Sequence, residues 1–77
     1  MNGDLTGAAD AFHKAVSAHP DSAAAHNNLA NVQLAQGDVL AAKESAEKAM
    51  RLADKDQKLQ SQIQKTLDEI NAYSIKK

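Results

Sequence analysis

The sequence predicts an all-α fold: four helices arranged as antiparallel helix–turn–helix repeats. Three observations carry this. Alanine, leucine, lysine and glutamine are prominent, and aromatic residues reach only 3%, Phe12 and Tyr73. Apolar residues recur at three- and four-residue steps, the spacing of one helix face. The chain also repeats itself, with Gly3-Asp4 returning 34 residues later as Gly37-Asp38.

The first helix runs from about Asp4 to Ala18, with Leu5, Ala8, Ala9, Phe12, Ala15 and Val16 on its apolar side. His19-Pro20 stops it, because a residue before proline is pushed out of helical geometry. The second runs from about Ser22 to Gln36. Asp21 or Ser22 caps its start, Ala25, Leu29 and Val32 give it an inner face, and Gly37 ends it. The third, about Val39 to Ala53, takes Asp38 as its cap. It turns Val39, Ala42, Ala46, Ala49, Met50 and Leu52 or Ala53 inward, while Glu44–Lys48 and Glu47–Arg51 form favourable i,i+4 pairs outside. The fourth begins near Asp56 and reaches about Ser74, packing Leu59, Ile63, Leu67 and Ile70 and facing water on its other side. Ile75-Lys76-Lys77 is expected to fray.

The repeat extends beyond its glycines. At the same offset Ala8 meets Ala42, Lys14 meets Lys48 and Ala15 meets Ala49, with near-matches Leu5/Val39, Gly7/Ala41, Asp10/Glu44 and Val16/Met50. The chain therefore resembles the tetratricopeptide repeat family. Leu29-Ala30 stands where that family has Leu-Gly, Gly37-Asp38 matches its turn, and Ala42 and Ala49 match the small residues of its second helix. His26, Gln33, Ala46 and Asp54 depart from positions where the family has Trp, an aromatic, Phe or Tyr, and Pro. The resemblance divides the chain into the second half of a repeat (3–22), a full repeat (23–56) and a capping helix (57–77).

It also implies function. The expected activity is protein–protein interaction, with a protein or peptide docked on the face lined by each repeat's first helix. Here that face would include Ala24, Asn27, Asn31, Leu34 and Ala35, and Lys58 and Lys65 on the fourth helix are candidates for the same groove. Asparagine amides both donate and accept, which suits an extended peptide backbone. The plainer reading makes Asn27 and Asn31 ordinary solvated polar residues, and Lys58 and Lys65 a solvated face. The resemblance further places a preceding helix over Leu5, Ala8, Phe12 and Ala15, and those residues are read as a self-association surface that would make a homo-oligomer.

Other classes find little footing. A net charge of −1, from 9 basic and 10 acidic residues, is no field for nucleic acid or an anionic membrane. No apolar run approaches the roughly 20 residues that span a bilayer, and Met1-Asn2-Gly3-Asp4 does not open like a signal peptide. With no cysteine there is no disulfide or thiolate metal site. His13, His19 and His26 are spaced six and seven apart, not the four that puts two ligands on one helix face. No nucleophile elbow, phosphate-cradling loop or paired acids are visible, so neither catalysis nor a cofactor is expected. Because alanine supplies so much of the apolar content, the core is expected to be thin.

Overall fold

The computed structural model describes the backbone of residues 3–76 and the side chains of residues 6–74. It holds four helices: α1 (Gly3–Ala18), α2 (Ala23–Ala35), α3 (Val39–Leu52) and α4 (Gln57–Lys76). Each boundary falls within two residues of its sequence expectation, and the starts of α2, α3 and α4 and the end of α2 have a visible cause.

Of the two cap candidates for α2, Ser22 does the capping: its hydroxyl accepts the Ala25 N–H at 3.1 Å. Asp38 caps α3 through the Ala41 N–H at 3.3 Å, and Asp56 caps α4 through the Leu59 N–H at 3.0 Å. Gly37 follows the C-cap of α2 with φ of 85°, a left-handed conformation glycine adopts without steric cost. Around it the Gly37 N–H donates to the Leu34 carbonyl and the Asp38 N–H to the Gln33 carbonyl, each at 2.9 Å. This pair of bonds is a Schellman ending, which satisfies two carbonyls that the helix leaves free. The fourth helix continues to Lys76, two residues past its expected end.

The helices form a slab of 37 × 31 × 17 Å. Helix α2 is central and touches all three others, whereas α1 touches α2 alone among the described elements. The α2–α3 pair is antiparallel. Ala23, near the start of α2, clusters with Ala49 and Ala53, and Ala30 clusters with Ala42 and Ala46. Helix α4 runs parallel to α2 across the same groove, with Ile63 joining the Ala23 cluster and Ile70 the Ala30 cluster. A third cluster joins Ala9, Ala8, Phe12 and Val16 of α1 to Leu29 and Val32 of α2.

The core is thin in side-chain volume, as expected. Ala30, Ala42, Ala46 and Ala49 are 0% exposed, and the only large side chains buried as completely among the described residues are Ile63 and Ile70. Short side chains let the helix backbones approach closely, so stability rests on fit more than on bulk. Two partly buried hydrogen bonds add specificity. His26 Nε2 lies 3.0 Å from the Pro20 carbonyl, so that nitrogen carries the proton and donates it. The Ser45 hydroxyl donates to Gln33 Oε1 at 2.7 Å.

Candidate protein-binding surface

The open face of α2 follows from its three contacts. Leu29 and Val32 go to α1, Ala23 and Ala30 go to α3, and α4 lies over the flank that carries Leu34. What remains exposed is Ala24, Asn28, Asn31 and Ala35, at steps of four, three and four. Small residues at the two ends leave the amides of Asn28 and Asn31 one turn apart in the middle.

The expected site residues separate in the structure. Ala24, Asn31 and Ala35 are exposed. Leu34 is half-buried against the Ala30–Ile70 cluster. Asn27 is only 7% exposed, although it is one turn from Asn31. The reason is α4. Asn27 shares a helix face with Ala23 and Ala30, and Ile63 and Ile70 of α4 pack on the clusters of both. No donor reaches the buried Oδ1 of Asn27. Asn31, a further 100° round the helix from Ala30, escapes that cover and accepts a long bond of 3.4 Å from the Thr66 hydroxyl of α4. The Thr66 hydroxyl has one proton and shares it with the Gln62 carbonyl, 3.2 Å away on its own helix.

Lys58 and Lys65 are both exposed. Lys65 immediately precedes Thr66 and so sits about 100° round α4 from it. Lys58 lines a shallow recess with Asp56, Leu59 and Gln62. On α1, Ala8, Phe12 and Ala15 are half-buried, and the side chain of Leu5 lies outside the described residues. His13 and His19 are exposed and His26 is buried on Pro20, so the three histidines are not gathered. Among the described residues no helix is long and apolar enough to cross a membrane.

Sequence reasoning missed Asn28, Thr66 and the Gln33–Ser45 bond. The signal for Asn28 was present: Ala24, Asn28, Asn31 and Ala35 form their own helical stripe, opposite the apolar one. Thr66 looked like one more polar residue on a one-sided helix. Its burial depends on how α4 is rolled against α2, which periodicity does not specify.

Antiparallel helix pairs that repeat at 34 residues and share a continuous core define an α-solenoid protein. The sequence matches the Tetratricopeptide repeat family over residues 1–68, and the chain belongs to that family. It is 45% identical over 51 residues to tetratricopeptide repeat protein 36 of Mus musculus, a match covering 66% of this chain and 27% of that protein. The chain thus spans about a quarter of that curated relative's length (27%). No solved structure matches it. Repeats of this family generally mediate protein–protein interaction.

Proposed function

We propose that the chain is a protein-interaction module that docks an extended peptide or protein segment along α2, at its edge with α4. The exposed asparagine pair, Asn28 and Asn31, carries this reading. Each amide offers a donor and an acceptor to a peptide backbone, and Ala24 and Ala35 keep the approach to them open. The reading takes residues 3–22 as half a repeat, 23–56 as a full repeat and 57–77 as the cap. It includes no catalytic step, nucleic acid or membrane, in keeping with the net charge of −1. The test is to select binding peptides by display and titrate them against variants. Asn28→Ala with Asn31→Ala should weaken binding about tenfold or more, while Asn27→Ala leaves it unchanged. Binders indifferent to the double variant would refute the site.

One observation favours a second reading, self-association through α1. Ala8, Phe12 and Ala15 are half-buried, whereas their counterparts 34 residues on, Ala42, Ala46 and Ala49, are fully buried between two neighbours. Molar mass by light scattering over a dilution series tests it. A chain that stays monomeric at every concentration removes the reading.

A further inference from the structure

Helix α4 packs Leu59, Ile63, Leu67 and Ile70 against its neighbours, and one polar residue, Thr66, is buried beside them at 3% exposure. Its hydroxyl needs no partner outside its own helix, because the Gln62 carbonyl one turn back accepts the proton at 3.2 Å. A valine would fill the same space without a polar atom. The hydroxyl nonetheless reaches across to α2, where Asn31 Oδ1 lies 3.4 Å away. One proton divided between two acceptors makes each bond weak, so the contact adds little to stability. What it can do is set a direction.

An asparagine amide is planar, with its oxygen on one arm and its NH2 group on the other. Its last torsion is broad, so an exposed asparagine left alone turns either arm outward at little cost. Asn31 is exposed but not left alone. With Oδ1 held toward α4, Nδ2 turns away from that helix, over the open face of α2 where Asn28 stands one turn off. Nor does it turn back to serve Asn27, whose buried Oδ1 has no donor. The Asn31 N–H groups are left for whatever lies on that face.

We propose that Thr66 is a positioning residue for the binding face: its hydroxyl holds Asn31 with Oδ1 toward α4, so that Asn31 points its N–H donors outward and the docked segment meets them with a backbone carbonyl. This rests on the peptide-docking reading and narrows it, because the donor arm of Asn31, not the acceptor arm, is the one given to the partner. The orientation is settled before the partner arrives, which lowers the ordering cost of binding. Helix α4 thereby takes part in recognition through a side chain that the partner does not touch.

The test uses the whole chain, with a synthetic peptide taken from display selection as the probe. Before peptide is added, the order parameter of the Asn31 side-chain NH2 group should fall in Thr66→Val and recover in Thr66→Ser. In titrations, Thr66→Val should weaken binding about threefold to tenfold, and Thr66→Ser should restore it. Circular dichroism confirms equal helicity in all variants. Asn31→Asp keeps an oxygen for Thr66 and replaces the donors with a second acceptor, so it should bind as weakly as Asn31→Ala. A Thr66→Val chain that binds like the parent overturns the positioning role, and the docking site stands if Asn28→Ala with Asn31→Ala still weakens binding. Thr66→Ser as weak as Thr66→Val overturns the hydroxyl in favour of methyl packing. An Asn31→Asp chain that binds like the parent overturns the carbonyl as the group opposite Asn31. Peptides indifferent to both asparagines overturn the docking reading and this one with it.

Discussion

The Ser45 hydroxyl donates a 2.7 Å hydrogen bond to Gln33 Oε1, tying α3 to α2 where the tetratricopeptide pattern has an aromatic residue at position 33. Gln33 is itself buried, so the bond satisfies an amide oxygen that water barely reaches. Ser45→Ala strands that oxygen and should cost about 1–3 kcal/mol. Urea denaturation followed by circular dichroism measures it. A variant as stable as the parent would mean that Gln33 finds another donor.

Ala42 has no room to grow. It is fully buried between Ala30, Ala46 and Ile70. Ala42→Leu should lower stability by about 1–3 kcal/mol through overpacking. For a chain of this size, that is a fall in midpoint of about 4–8 °C per kcal/mol. A thermal melt unchanged by the substitution would contradict the close α2–α3 approach.

At Gly37 the cost comes from the backbone. Its φ is 85°, and an added Cβ would meet the Tyr73 hydroxyl at 3.7 Å, an ordinary contact. Gly37→Ala should therefore destabilise by about 1–2 kcal/mol from left-handed strain alone. Gly37→Asn, which tolerates that conformation better, should recover part of the loss in the same melt.

Asn27 places a buried acceptor with no donor beneath α4. Asn27→Ala removes the unpaired group and substitutes a better helix former, so stability should hold or rise by up to about 1 kcal/mol. A clear drop in denaturation midpoint would show that the amide is bonded in solution, by a water for example.

The helices and their ends were legible because each has a local cause: Ser22, Asp38 and Asp56 at the starts, Pro20 and Gly37 at the stops. The inner faces of α3 and α4 were legible too, since each helix buries one side. Helix α2 was read less completely. It is covered on three sides, so its buried residues include Ala23, His26, Asn27 and Gln33 besides the expected Ala25, Leu29 and Val32. A helix buried nearly all round shows no single stripe. The same fact explains the site. The sequence places Asn27 and Asn31 one turn apart, but only the roll of α4 decides that the first is covered and the second open.

Because α1 leans on a single neighbour, its hold on the fold is weaker than that of α2, which has three. Amide protons should record this as a gradient of exchange rates, fastest in α1 and slowest in α2, with α3 and α4 between. Opening of α1 uncovers Leu29 and Val32 but leaves the Ala23 and Ala30 clusters intact, so the first step of unfolding is a partial one. Among the described helices, α1 is thereby a unit that can let go while the rest stays folded.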